Sequence, residues 1–361
     1  MKIAVLGTRG IPANYSGFET CVQETALRFI AAGHDVRIYC RKGRVGSDRS
    51  SLGGMSLIYA PYFRGKYIET ISHTFFSLLH AILYPVDVIH VYGSGNGWCI
   101  PMLRLRNVRV VFLVDGLDWE RAKWGRFART FLRGAARIGS RYADHTVADS
   151  QQVKSVMLRI LKGRNIDYVP YGARILEGAG VGMIKRLGLE AGGYYLFVGR
   201  FVPEKNVHLL VSAFDKAHTK KKLVLLGGHS YDPAYESNLR NTSSSHILFP
   251  GFVFGRDYEE LLCGCYAYIQ PSALEGTSPS LLAAMGAGAC VLVSDIPENK
   301  ETVADSGFYF SSNDAAHLTA MIEHLDNSPL EVAQKRAASL RRARSEYSWD
   351  VVSTQLLALS A

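Results

Sequence analysis

Short apolar strands alternate with helical segments along this chain, and the alternation starts twice. The first series of strands comprises residues 3–6, 36–40, 55–59, 86–92 and 108–114. The second series begins at Tyr194 and comprises residues 194–200, 224–226, 247–249, 266–269 and 290–293. Buried strands separated by helices are typical of parallel, doubly wound sheets. The pattern therefore predicts an α/β chain with two Rossmann-like sheets.

The length of 361 residues agrees with two domains. A glycine-rich segment, Gly172–Gly193, is predicted to link them. We therefore expect an N-terminal domain of residues 1–180 and a C-terminal domain of residues 181–361, closed by a tail helix that begins near Ser348 and crosses back. Two such domains that face each other hold their ligands at the strand ends, in a central cleft.

Positive charge is concentrated in the first half of the chain. Residues 1–180 carry 25 Lys and Arg against 13 Asp and Glu, within a net charge of +9 for the whole chain. This imbalance favours an anionic partner, and a solubilising surface is the alternative. The six cysteines lack metal-ligand spacing, which predicts buried free thiols. Without a signal peptide or a long apolar run, the chain is expected to be cytosolic.

The segment Pro271–Gly288 combines a carboxylate with the start of a helix. A strand ends just before it, Glu275 lies in a turn of small residues, and Ser278 and Pro279 suit the N-cap and first helical positions. The amides of Thr277, Ser278 and Ser280 are then available to an anion. A neighbouring carboxylate can accept hydrogen bonds from sugar hydroxyls. The segment predicts a site for a sugar attached to phosphate.

Two cationic side chains follow the first strand of the second series. Arg200 offers a bidentate fork and Lys205 a compact charge, a combination that suits a diphosphate. A salt bridge of these cations with Glu204 at the helix start is the alternative. Fixed cations at this place would also stabilise the charge that develops on a departing nucleoside diphosphate.

Two loops of the N-terminal half follow strands in the same way. Gly10 and Gly17 lie in a loop without the G-x-G-x-x-G spacing of dinucleotide-binding proteins, and we expect this loop to cover a sugar and an acceptor. A plain strand-to-helix turn is the alternative. Asp115 follows a buried strand, where α/β proteins place functional groups, and a surface turn that caps the next helix is the alternative. Trp119 and Trp124 beside it are a candidate platform for a sugar or a lipid head group.

A basic stripe follows these loops. Its members share one face of a predicted helix: Arg126, Arg129, Arg133, Arg137 and Arg141. Such a helix can lie on an anionic bilayer, and a solvated surface is the alternative. Aromatic residues between Tyr59 and Tyr84 are either interfacial anchors or core. The histidines His73, His80, His90 and His145 lie in apolar stretches and are expected to be structural, so no metal site is predicted.

The combination of Gly199, Arg200 and Lys205 with Glu275–Leu282 resembles the family-4 glycosyltransferases, which have the GT-B fold. The resemblance covers nearly the full length, and Leu6–Glu19 and Asp115–Trp124 are similar to a bacterial subgroup that includes rhamnosyltransferases of capsule and exopolysaccharide assembly. It implies retaining transfer of a hexosyl or deoxyhexosyl unit from a nucleotide-diphosphate sugar to a polyprenyl-diphosphate-linked saccharide. It further implies a peripheral protein at the inner membrane face, with no metal or other cofactor and no nucleic-acid partner.

The resemblance also implies roles for individual residues. Arg200 and Lys205 would hold the donor diphosphate, Glu275 the sugar hydroxyls, and the backbone from Thr277 through Ser278, Pro279 and Ser280 to Leu281 the sugar and phosphates. Asp115 stands where many members have a histidine, and a catalytic role is expected for it. The N-terminal domain would bind the acceptor.

One residue departs from the family pattern. Its Glu-x7-Glu signature places a ribose-binding carboxylate at position 283, where this chain has Ala283. The loss leads to the hypothesis that a dTDP-sugar is accepted as well as or better than its UDP counterpart. A nucleotide-sugar 2-epimerase of the same fold, or a non-enzymatic basic scaffold for membrane or nucleic acid, are the competing interpretations. The epimerase needs a histidine among its carboxylates, and the scaffold leaves Arg200, Lys205 and Glu275 unexplained.

Overall fold

The computed structural model describes residues 1–13, 17–43, 49–65, 68–114, 116–120, 124–161, 165–229, 233–242 and 244–361. Contacts divide the chain into two compact units. The first consists of Met1–Tyr171 with Trp349–Ala361, and the second of Gly172–Ser348.

The first unit contains a sheet of eight strands. The strands are β1 (Lys2–Leu6), β2 (Asp35–Arg41), β3 (Ser51–Leu52), β4 (Met55–Ala60), β5 (Val88–Tyr92), β6 (Arg109–Val114), β7 (His145–Ala148) and β8 (Ile166–Tyr168). The helices are α1 (Gly17–Ala31), α2 (Ile68–Leu83), α3 (Ile100–Leu103), α4 (Arg126–Tyr142) and α5 (Gln151–Leu161). The strand order is β3-β4-β2-β1-β5-β6-β7-β8, and every pair is parallel except β3 with β4. The winding direction therefore reverses between β1 and β5.

The second unit contains a parallel sheet of six strands. The strands are β9 (Tyr194–Phe201), β10 (Lys222–His229), β11 (Ile247–Gly251), β12 (Ala267–Gln270), β13 (Cys290–Ser294) and β14 (Phe308–Phe310). The helices are α6 (Gly182–Arg186), α7 (Val207–Lys216), α8 (Pro233–Thr242), α9 (Gly255–Gly264), α10 (Pro279–Gly286), α11 (Pro297–Val303), α12 (Ala315–Asn327) and α13 (Pro329–Glu346). The order β11-β10-β9-β12-β13-β14 places the reversal between β9 and β12. The prediction of two doubly wound parallel sheets is confirmed.

The unit boundaries differ from the predicted ones at both ends of the second unit. The predicted linker packs into this unit, because the amide of Ala173 donates to the Tyr347 carbonyl and that of Leu176 to the Gly286 carbonyl. The last helix, α14 (Trp349–Ser360), belongs to the first unit. Asp350 there forms an ion pair with Arg28 of α1 (2.5 Å). Glycine content therefore marked a turn-rich segment and not a free linker.

The cysteines fit their predicted state. All six are free, and only Cys263 is more than marginally exposed. Burial raises the pKa of the Cys40 thiol to about 11 and that of Cys99 to about 12, so neither is a reactive thiolate at neutral pH.

Candidate functional site

The carboxyl edge of the second sheet brings the two predicted motifs together at its switch point. Arg200 lies at the end of β9, and the segment with Glu275 follows β12, the neighbouring strand. The amide of Ala273 donates to the Glu204 carbonyl (3.0 Å), which ties the two loops to each other. In open α/β sheets, ligands bind outside the carboxyl ends of the strands where the winding reverses.

An ion pair joins the two motifs. Lys205 Nζ contacts Glu275 Oε1, and the side chains are only 17% and 9% exposed. Ser272 Oγ donates to the same carboxylate oxygen (2.7 Å). The predicted alternative, a salt bridge with Glu204, does not form among the described residues, because Lys205 turns towards the β12 loop and Arg200 has no ion-pair partner. Both candidate residues are thus held in one polar cluster.

Helix α10 begins as the sequence predicts. Ser278 is its N-cap and accepts from the amide of Leu281 through Oγ (3.4 Å), and Pro279 is the first helical residue. Among the described residues, the amide of Ser280 has no protein acceptor. Ser280 and Thr277 therefore lie at a helix start whose partial positive charge favours an anion.

A buried hydrogen-bond network, which the sequence did not predict, supports this helix start. Ser278 Oγ donates to Gln270 Oε1 (3.0 Å), and Gln270 Nε2 donates to Asn299 Oδ1 (3.3 Å). Asn299 in turn donates to the carbonyl of Ser294 (3.0 Å), and Ser294 Oγ donates to that of Ser272 (2.5 Å). A glutamine at the end of an otherwise apolar strand is the signal that could have found the network. These bonds fix the loop that carries Glu275.

Arg200 differs from Lys205 in being unpaired. Its side chain is half-buried and forms no ion pair or hydrogen bond with any residue that the structure describes. The strand beside it approaches unusually closely: a Cβ on Gly227 would lie 1.9 Å from the carbonyl oxygen of Gly199. Gly227 has a φ of 131°, which only glycine adopts without strain. Because the guanidinium of Arg200 has no partner among the described residues, it is available to an anion at this edge of the sheet.

A second carboxyl group stands near Glu275. Glu298 is the second residue of α11, and burial raises its pKa, with the Glu275 carboxylate adding to the effect. Glu298 was not predicted as a site residue, since nothing in its local sequence distinguishes it from an ordinary acidic residue at a helix start. The site thus combines two cations with two carboxyl groups.

The structure supports a binding role for some residues predicted in the N-terminal half less well than for those of the second unit. Gly10 is buried, and a Cβ there would lie 2.8 Å from that of Cys40, so packing alone requires a glycine. Gly17 begins α1. Asp115 lies outside the described residues. Trp119 is 7% exposed and packs in the core of the first unit, so it is not available as the platform suggested for it.

The arginines of α4 form the predicted exposed stripe. All five are exposed, and the helix contains no acidic residue. Phe127 of the same helix is 89% exposed. The buried residues of α4 are small: Ala135, Ala136, Gly139 and Ser140. Nowhere in the described ranges do three His, Cys, Asp or Glu side chains group as metal ligands. None of the described helices is long and apolar enough to cross a bilayer.

Two family models match the chain, one in each unit. Residues 16–172 match the glycosyl transferase 4-like domain, and residues 192–327 match the glycosyl transferases group 1. Together they cover most of the sequence. Each unit therefore carries a glycosyltransferase domain, of the 4-like type in the first unit and of group 1 in the second.

Curated relatives align with part of the chain. It is 29% identical over 175 residues to the O-antigen chain mannosyltransferase B of Escherichia coli, covering 46% of this chain and 45% of that protein. It is 26% identical over 178 residues to the alpha-maltose-1-phosphate synthase of Mycobacterium tuberculosis, covering 45% and 46%. The alignments thus span about half the length of these relatives.

Solved structures match the whole chain. Sucrose-phosphate synthase from Thermosynechococcus elongatus has a TM-score of 0.83 at 20% identity, with 99% of this chain and 98% of that one covered. Anabaena HepE in complex with UDP-glucose has a TM-score of 0.80 at 17% identity, with the same coverage. These likenesses show the fold, which is GT-B.

Proposed function

We propose that this chain transfers a hexosyl or deoxyhexosyl unit, such as rhamnosyl, from a nucleotide-diphosphate sugar to a polyprenyl-diphosphate-linked saccharide during surface polysaccharide assembly. The observation that carries the proposal is the Lys205–Glu275 pair beside the unpaired Arg200, at the switch point of the second sheet. The anomeric configuration would be retained, as in the family that the motifs resemble.

Different residues are proposed to contact the diphosphate and the sugar of the donor. Arg200 and Lys205 bind the diphosphate and stabilise the negative charge that it gains as the glycosidic bond breaks. Glu275 accepts hydrogen bonds from the sugar hydroxyls, and Ser272 keeps its carboxylate in place. The free amide of Ser280 adds a donor at the helix start. Asp115 is proposed to act at the reacting centre.

The acceptor is proposed to be membrane-borne. One relative, an O-antigen chain mannosyltransferase, supports a saccharide acceptor. The exposed arginines of α4 supply the cations for an anionic bilayer surface, at about 1 kcal/mol for each residue near the surface. The protein would therefore act peripherally at the inner face of the cell membrane, with its first unit towards the lipid.

A panel of nucleotide sugars tests the donor side. The cognate donor should raise the thermal unfolding temperature, because a ligand that binds only the folded state stabilises it. Adding a polyprenyl-diphosphate-linked saccharide should then release the nucleoside diphosphate and lengthen the saccharide. A protein that no nucleotide sugar protects would contradict the proposal, and a changed sugar without any acceptor would point to epimerisation.

A further inference from the structure

Helix α2 exposes apolar residues and buries polar ones, which is the reverse of the pattern expected for a helix on a water-facing surface. Its exposed residues are all large and apolar: Ile68, Ile71, Phe75, Leu79 and Leu83, between 36% and 69% exposed. Their spacing of three or four residues places them on one face. Four of its six buried residues, in contrast, are polar: Ser72, His73, Thr74 and Ser77.

The remaining polar side chains of α2 also turn inward. Glu69 forms an ion pair with the buried Arg41 (2.8 Å), and the Tyr39 hydroxyl contacts His80 Nδ1 (2.9 Å). Thr74 Oγ1 donates to Asn96 Oδ1 (2.7 Å). None of the exposed residues of α2 therefore carries a charged or hydrogen-bonding side chain. A contiguous apolar face of this kind marks a surface that something apolar covers.

The basic helix α4 belongs to the same unit as α2 and shares one neighbouring segment with it. Both helices pack against the segment Ser94–Cys99: Thr74 bonds Asn96, and Gly97 lies so close to α4 that a Cβ would be 2.2 Å from the Ala135 carbonyl oxygen. An apolar stripe and an arginine stripe thus flank one short segment. A partner that fits both must be apolar in one layer and anionic in the next. A phospholipid bilayer with anionic head groups has this arrangement.

We propose that the outer face of α2 enters the acyl layer of the membrane while α4 stays among the head groups. The inference deepens the proposed membrane partner and rests on it. It assigns the depth of the interaction to α2 and its charge dependence to α4. Phe63 (60% exposed) and Tyr84 (56%) stand just before and after α2, where aromatic side chains suit the interface.

The variant Phe75→Gln/Leu79→Gln tests the assignment. Both positions are exposed, so the fold should tolerate the change. Affinity for vesicles of phosphatidylcholine and phosphatidylglycerol should fall about 100-fold, or about tenfold for each side chain withdrawn from the acyl layer. The increase in surface pressure on a phosphatidylglycerol monolayer should also disappear. The matched control is Leu158→Gln on α5, since Leu158 and Leu79 are both 40% exposed.

The salt dependence of vesicle binding distinguishes the contributions of the two helices. High ionic strength screens the arginines of α4, so the wild type should keep a residual vesicle affinity that the α2 variant lacks. A variant that binds vesicles and penetrates the monolayer like the wild type overturns the proposal. A lipid-free wild-type dimer that the variant converts to a monomer also overturns it, in favour of a second copy on this face. Thermal protection by nucleotide sugars should be unchanged in the variant, so failure of the donor assignment would be seen separately.

Discussion

At the scale of single residues, Lys205 is the group on which the site depends most. Replacing it in Lys205→Met leaves the carboxylate of Glu275, 9% exposed, without its counter-charge. Transfer should fall by about 10²–10³-fold, because a cation at the leaving diphosphate is lost. The free energy of unfolding should fall by roughly 3 kcal/mol, because a buried charge loses its partner. Nucleotide release and urea unfolding measure the two effects.

Two further variants separate these effects. Lys205→Met/Glu275→Gln should recover most of the lost stability without recovering transfer, since no buried charge then lacks a partner. Glu204→Ala removes an exposed neighbouring carboxylate and should leave both quantities within about 0.5 kcal/mol of the wild type. Full activity in Lys205→Met would contradict the role assigned to Lys205.

One substitution at Ala283 tests whether the protein prefers UDP or dTDP. The side chain at this position of α10 is partly exposed. Ala283→Glu should tighten UDP binding by about 1.5–3 kcal/mol if a carboxylate there accepts hydrogen bonds from both ribose hydroxyls. dTDP, which lacks one hydroxyl, should gain less. Calorimetric titration of both nucleotides into wild type and variant measures this. Clearly tighter UDP than dTDP binding by the wild type would end the hypothesis of a deoxyribose donor.

At the scale of elements, α4 is predicted to supply the salt-sensitive part of membrane binding. Reversing two charges in Arg133→Glu/Arg137→Glu should weaken binding to anionic vesicles by about 4 kcal/mol at low salt, because two attractions become repulsions. Vesicle sedimentation at two ionic strengths measures it. Arg341→Glu/Arg344→Glu makes the same charge change on exposed positions of α13 in the second unit, and should have a far smaller effect. Equal losses in both variants would show that net charge, and not α4, governs binding.

The elements themselves were largely predictable where they are long and apolar. The strand ending near Leu6, the strand from Tyr194 and the N-cap at Ser278 all lie where the sequence places them. The sequence missed four short strands: β3 of two residues, β7 of four, and β8 and β14 of three each. Strands this short carry too few residues to show a period. They are set by pairing with neighbouring strands, which is a long-range interaction.

At the scale of the whole molecule, buried histidines make stability depend on pH. Burial lowers the pKa of His73 and of His90 to about 4 from an ordinary 6.5. Between these values the unfolded chain binds protons that the folded chain does not. Stability is therefore fully present above about pH 6.5 and is lost as the pH falls towards 4, at about 1.4 kcal/mol per pH unit for each histidine. Urea unfolding across this range measures the slope.

The variant His90→Gln isolates one of the two histidines. His90 Nε2 contacts Ser360 Oγ of α14 (2.8 Å), and a glutamine amide can keep a hydrogen bond there. The slope between pH 6 and 4.5 should fall by about half, whatever the stability at pH 7 becomes. An unchanged slope would show that unfolding does not let His90 take up a proton in this pH range, and would contradict the prediction.

The sequence by itself determined the class of the molecule and the residues proposed to form its donor site. Apolar runs and their breaks encode two doubly wound sheets locally, and Arg200, Lys205 and Glu275 are recognisable because each lies at the end of a strand or a few residues after it. Only the tertiary structure decided which of these residues meet. The Lys205–Glu275 pair spans 70 positions, and the network from Gln270 to Asn299 crosses three elements. The exposed apolar face of α2 could not be predicted, for the same reason. The sequence shows which residues form the helix, and only packing decides which side of it is covered.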